Sequence, residues 1–120
     1  PCSATGTYRR HPDVLYNRQP KDVASLVRLQ KRLIKAAVQR IKSGGYLLYC
    51  TCSLQPEEGE KQIDHILSSY PEFKLAASPE IALTAQTLSP DEKGYLRILP
   101  HLLGEQGGND GFFSALLQKN

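Results

Sequence analysis

Methionine is absent from all 120 residues of this chain, so Pro1 is not an encoded initiator. Either a leader has been processed away or the chain is a piece of a longer protein. Cysteine is scarce, and three residues is an odd number too small for a disulfide framework. Reduced thiols in a cytoplasmic compartment fit that count. No apolar run approaches the ~20 residues a spanning helix needs, and no basic-then-apolar start resembles a signal peptide. No membrane partner is expected. Hydrophobic residues at 40% and charged residues at 22% are globular usage, which excludes a disordered tail, a collagen or a coiled coil. There is room for one modest domain.

What is present is unevenly placed. From Arg9 to Lys42 there are ten bases and two acids, a net +8, which leaves −5 for the remainder of a chain whose total is +3. Such a patch fits a polyanion such as RNA, and equally a helix face solvated by Lys and Arg.

Pro1 to Pro20 reads as loop, rich in Pro, Gly, Thr and Arg. Lys21 to Lys42 reads as a helix with an apolar stripe of Val23, Leu26, Val27, Leu33, Ile34, Ala37, Val38 and Ile41, N-capped by Asp22 and stopped by Gly44 or Gly45. Tyr46 to Cys52 reads as a buried central strand. A second helix is expected from Pro56, with Glu57, Glu58 and Glu60 at its positive end, a stripe of Ile63, Ile66, Leu67 and Tyr70, and a stop at Pro71. Phe73–Ala77, Leu96–Leu99 and Gly111–Gln118 are further strand candidates, and Ser78 to Gly94 is weakly patterned. Alternation of helix and strand indicates an α/β layer structure with parallel strands. The apolar strand and both stripes want more sheet than 120 residues supply, so the expected architecture is half of a fold.

Two thiols stand out. Cys2 heads Pro1-Cys2-Ser3-Ala4-Thr5-Gly6, and Cys52 ends the first strand just before a helix. Ligands gather at the carboxyl ends of strands in open α/β sheets. A thiol near a helix N-terminus is open to activation, although the neighbouring glutamates oppose its ionisation. Taken alone, a cysteine at a strand end is more often packing. Cys50 lies two positions from Cys52, but Cys-x-Cys lacks the spacing of a structural zinc site, so no metal is expected from these thiols with His11, His65 or His101. Tyr8, Arg9, Arg10, Tyr16 and Arg18 interleave aromatic rings and guanidiniums, groups that stack on unpaired bases and hold phosphates. The competing reading pairs Arg10 with Asp13 simply to order the loop.

Four stretches in register carry a resemblance. They are Pro1-Cys2-Ser3-Ala4-Thr5-Gly6 with Arg9-Arg10-His11-Pro12-Asp13; Gly44-Gly45 leading to Thr51-Cys52-Ser53; Pro56-Glu57-Glu58; and Asp110-Gly111-Phe112-Phe113. Together the chain resembles the Sun (Fmu) family of RNA cytosine-5 methyltransferases, with RsmB-type enzymes of small-subunit ribosomal RNA nearest in motif. The resemblance implies the C-terminal half of a Rossmann-like, S-adenosylmethionine-dependent methyltransferase with a mixed sheet. It implies that the thiol matching Cys52 attacks carbon 6 of a cytosine and that the thiol matching Cys2 assists release. The reverse assignment, found in the related DNA enzymes, is the alternative. Pro1, Arg9, Arg10 and Thr51 are the implied substrate contacts.

The departures matter. The Asp of the family's Asp-Ala-Pro-Cys is missing, as is the glycine-rich cofactor half, so no cofactor contacts are expected here and the isolated chain is expected to be inactive. Gly59 replaces a usual Asn, and Cys50 a usual Ala or Ser. Two other readings stand beside the enzyme: a non-catalytic RNA-binding module of the same fold, and a metal or thiol-redox protein built on Cys50 and Cys52.

Overall fold

A computed structural model describes residues 1–77, 81–82 and 87–120. The expected opening loop contains a 3₁₀ turn, Thr5–Thr7, and a short helix α1, Val14–Asn17. Helix α2 spans Pro20–Val38. Asp22 is not its N-cap: Gln19 holds that position, and Asp22 sits at the third helical residue, accepting the Gln19 N–H at 2.8 Å in a reciprocal capping box. Pro20, which needs no backbone donor, occupies the first turn. The helix also stops four residues earlier than expected. The Lys119 ammonium donates to the carbonyls of Val38 (3.3 Å) and Ile41 (3.0 Å), a cation at the negative end of the dipole. The glycines serve the next turn, where Gly44 has φ of +78°.

Strand β1, Tyr46–Thr51, follows. Helix α3, Glu60–Ser69, begins four residues after Pro56, because a turn intervenes in which both Glu58 and Gly59 N–H groups donate to Gln55 O. Glu57 and Glu58 therefore precede the helix, with only Glu60 in its first turn. Strands β2 (Phe73–Leu75), β3 (Ile81–Ala82), β4 (Thr87–Leu88), β5 (Leu96–Ile98) and β6 (Phe112–Lys119) complete the described elements. β3 and β4 form a short hairpin within the weakly patterned stretch, the rest of which to residue 86 lies outside the described residues.

The expected parallel pairing is corrected. β6 runs between β1 on one side and β2 and β5 on the other, and every described pair is antiparallel. Tyr46 faces Gln118 and Thr51 faces Phe113 across β1 and β6, while Leu75 faces Leu117 across β2 and β6. Since β1 and β2 both oppose β6, they run parallel to each other, with α3 as their crossover and β6 inserted between them. Strand direction is set by this insertion, which local patterning does not encode.

Helices α2 and α3 lie on one face of β6. Ile34 and Val38 of α2, Ile63 and Ile66 of α3, and Phe113, Ala115 and Leu117 of β6 form the buried core with Phe73 and Tyr95. Full burial of Phe113 or Leu117 contributes about 1.5–3 kcal/mol each. The first strand is not buried on both faces as expected. Leu47 and Tyr49 pack on the core, whereas Tyr46 and Leu48 are 58% and 63% exposed. Among the described residues, β1 pairs on one side only.

Candidate active site

Two short loops, following the chain start and β1, meet above α2. Their contact is made by glycine. Gly6 N–H donates to Cys52 O at 2.8 Å, and Gly111 N–H donates to Gly6 O at 2.7 Å, so three backbone segments stack at one point. A Cβ on Gly6 would lie 2.4 Å from both Cys52 O and Gly111 O, which no side chain allows. Ala4, one turn earlier, has φ of 59° and ψ of 26°, the left-handed region, and so holds local strain next to the reactive stretch.

This stacking brings Cys2 Sγ to 3.0 Å from Cys52 Sγ, both thiols partly accessible and free. The cleft beside them is about 460 Å³ and is lined by Pro1, Gln30, Leu33, Leu48 and Cys50 as well as the two thiols. Burial, then the hydrogen bond to Cys2, pushes the Cys52 thiol up to about 11, with Glu58 adding the smallest push. Cys52 is therefore held as a thiol at neutral pH. Burial also raises Cys50, which is exposed by area but enclosed enough by its surroundings to feel desolvation.

Beneath the thiols lies a polar network missed in the sequence. Glu58 is fully buried. Its Oε1 accepts the Ser3 N–H (2.9 Å) and Gln30 Nε2 (2.9 Å), and its Oε2 accepts the Ser3 hydroxyl (2.5 Å). Ser3 Oγ lies 3.1 Å from Ser53 Oγ, itself 3.2 Å from Thr5 Oγ1. Gln30 Nε2 also donates to Pro1 O, and its Oε1 accepts from Gln62. The available signal was a polar residue on each apolar stripe: Gln30 between Val27 and Ile34, and Gln62 four residues before Ile66.

The other expected contacts separate. Pro1 borders the cleft and is anchored by Gln30. Thr51 is buried, and its hydroxyl accepts the Ser53 N–H at 3.1 Å. Arg9 Nη1 donates to Gly107 O at 2.9 Å. Arg10 grips Asp110, not Asp13, with Nε donating at 2.9 and 3.1 Å. That pair holds the Asp110 carboxyl below the usual carboxylate range. Tyr8 and Arg18 share a second cavity of about 640 Å³ at the start of α2 with Pro20, Val23 and Gln55, whereas Tyr16 is 86% exposed and away from it.

Among the described residues, no group of three or more His, Cys, Asp or Glu could hold a metal ion, and no helix is long and apolar enough to cross a membrane. The thiol cleft also offers no carboxylate for ribose hydroxyls and no glycine-rich helix start for the anionic end of a nucleoside cofactor. The residues described as lining this cleft do not by themselves fit S-adenosylmethionine.

The chain is similar to known proteins along nearly its whole length. A family model described as 16S rRNA methyltransferase RsmB/F matches residues 1–118. Ribosomal RNA small subunit methyltransferase B of Yersinia pseudotuberculosis is 41% identical over 119 residues, covering 99% of this chain and 24% of the relative; that of Yersinia pestis matches to the same extent. The chain thus spans about a quarter of the length of these relatives. Among solved structures, NSun6 from Pyrococcus horikoshii with SFG superposes with a TM-score of 0.77 at 30% identity, covering 99% of this chain and 28% of that one. A methyltransferase homolog from the same organism gives 0.73 at 33% identity, covering 100% and 37%.

Proposed function

The chain belongs to the 16S rRNA methyltransferase RsmB/F family, and on that premise we propose that it is the thiol-bearing half of an S-adenosylmethionine-dependent enzyme that methylates carbon 5 of a cytosine in RNA. The RNA is ribosomal, from the small subunit, and the setting is cytoplasmic. The observation that carries this reading is the pair of free thiols 3.0 Å apart at the mouth of one cleft.

An aromatic ring carbon is a poor nucleophile until covalent addition breaks its conjugation. Cys52, its proton given up to solvent through the open cleft, adds through sulfur to carbon 6. The carbon 5–carbon 6 π electrons then become available at carbon 5. The cofactor, when bound, supplies an electrophilic methyl group. Cys2, as thiolate, next takes the proton left on carbon 5 and becomes a thiol, the double bond reforms, and the carbon 6–sulfur bond breaks to return Cys52 as thiolate. Two thiols in contact suit a sequence in which one makes a bond and the other unmakes it. The target base must first leave its stack to reach them. Pro1 and Thr51 lie at the cleft, and Arg9 and Arg10 rim the same loop. Alone, the chain lacks a cofactor cradle and is inactive.

The test uses a full-length protein carrying this chain and RNA containing 5-azacytidine, which cannot lose a carbon 5 proton. A covalent protein–RNA adduct is expected with the native residues. Cys52→Ala should abolish it, while Cys2→Ala should form an adduct even with ordinary cytosine and release it slowly. The opposite pattern would reverse the roles.

A further inference from the structure

The two thiol loops are joined to a carboxylate that the reaction as described does not use. Ser3 follows Cys2 directly, and Ser53 follows Cys52. Their hydroxyl oxygens lie 3.1 Å apart, beside thiols that lie 3.0 Å apart. Both serines and Glu58 are fully buried, so no solvent can substitute for any of them.

The direction of every hydroxyl in this chain follows from its two ends. At one end, Leu54 N–H donates to Thr5 Oγ1 at 2.9 Å, so the Thr5 proton is free to point at Ser53 Oγ. Ser53 Oγ also receives the Gln55 N–H at 3.0 Å, so its own proton points on toward Ser3. At the other end, Ser3 gives its one proton to Glu58 Oε2. Thr5, Ser53 and Ser3 thus all donate in one sense, terminating on the carboxylate. Its other oxygen is occupied by Ser3 N–H and Gln30, which ties the same group to α2. A neutral amide at this position either turns a donor toward Ser3 Oγ, so that all three hydroxyls must reverse and the Thr5 proton loses its acceptor, or turns that donor toward Ser3 N–H and Gln30 and loses both Oε1 contacts. Either way the run of hydroxyls that ends on Glu58 is disturbed.

Resting on the covalent reading above, we propose that Glu58 is a positioning residue that sets the Cys2–Cys52 separation through Ser3 and Ser53. It does not touch the base. Its substitution therefore leaves RNA binding intact and disturbs the step that needs both thiols in register, the departure of Cys52 assisted by Cys2.

The test takes the full-length protein with Glu58→Gln, which conserves shape. The expected result is a fall in kcat of about 10- to 100-fold, the scale of a sub-ångström to ångström misplacement. KM for RNA should stay within about twofold, trapping by 5-azacytidine RNA should persist, and an SDS-stable adduct should build up on ordinary cytosine RNA. Ser3→Ala, a smaller change that keeps the Gln30 contact, serves where Glu58→Gln folds poorly. It should shift kcat and adduct in the same direction. The double variant should be no worse than Glu58→Gln alone, because both interrupt one chain. The proposal is overturned by a kcat within about twofold of the parent, by a loss expressed only in KM, or by additive effects in the double variant. Failure of the unsubstituted protein to trap 5-azacytidine RNA would instead bring down the covalent reading itself.

Discussion

Gly6→Ala places a methyl group where two carbonyl oxygens already converge. The added carbon would sit 2.4 Å from Cys52 O, 2.4 Å from Gly111 O and 2.8 Å from Gly111 C. All three are backbone atoms, so no side chain can swing away. The same two segments supply the hydrogen bonds of 2.8 and 2.7 Å that Gly6 makes. Relieving the clash therefore opens both bonds together. Their loss costs about 0.5–1.5 kcal/mol each, and overpacking a tight site adds about 1–3 kcal/mol. A total near 4 kcal/mol is a large share of the roughly 5–15 kcal/mol that holds a domain folded. Urea unfolding suits the measurement, followed by the fluorescence of the six tyrosines in this tryptophan-free chain. Gly104→Ala is the control, since a Cβ there meets nothing within 4 Å, and it should stay within about 0.5 kcal/mol. A Gly6→Ala variant within about 1 kcal/mol of the parent would refute the three-segment junction.

Alkylation of Cys52 by iodoacetamide should accelerate about tenfold per pH unit from 7 to beyond 9 and level only near the raised value of about 11. Cys2→Ser should move that plateau to lower pH, and a plateau below pH 9 in the native chain would contradict the burial argument. The Arg10–Asp110 pair fastens the first loop to the segment before β6. Because the Asp110 carboxyl is held below its ordinary range, the contribution of this pair is present above that range and fades as pH falls through the lowered value. Protease nicking of residues 9–18 should rise on acidification or in 1 M salt, and Asp110→Asn should remove both dependences.

The long elements were legible because their burial repeats regularly. The stripe of α2 and the apolar run of β1 announce themselves within a few residues, and the α/β class follows from their alternation. Sheet direction was not legible, because β6 pairs across a separation that no local pattern records. The site divided in the same way. Cys2 and Cys52 were readable as motifs, and the structure brings them together. Glu58 was read as one of three acids beside a helix start, yet it alone of the three is fully buried, since the turn at 56–59 delays the helix and Gly59 packs its backbone against Phe113. Arg10 found its acid in Asp110, a hundred residues away, where pairing by proximity had suggested Asp13.

The strand that every other described member of the main sheet pairs with is also the last of them in sequence. Tyr46 meets Gln118, a partner 72 positions later. At translation rates of roughly 5–20 residues per second, β1 waits several seconds with neither edge paired to β6. Assembly therefore depends on non-local contacts, the slow kind. Loss of residues 112–119 alone would unmake every described pairing of the main sheet, leaving both thiol loops intact in sequence and without a floor to stand on.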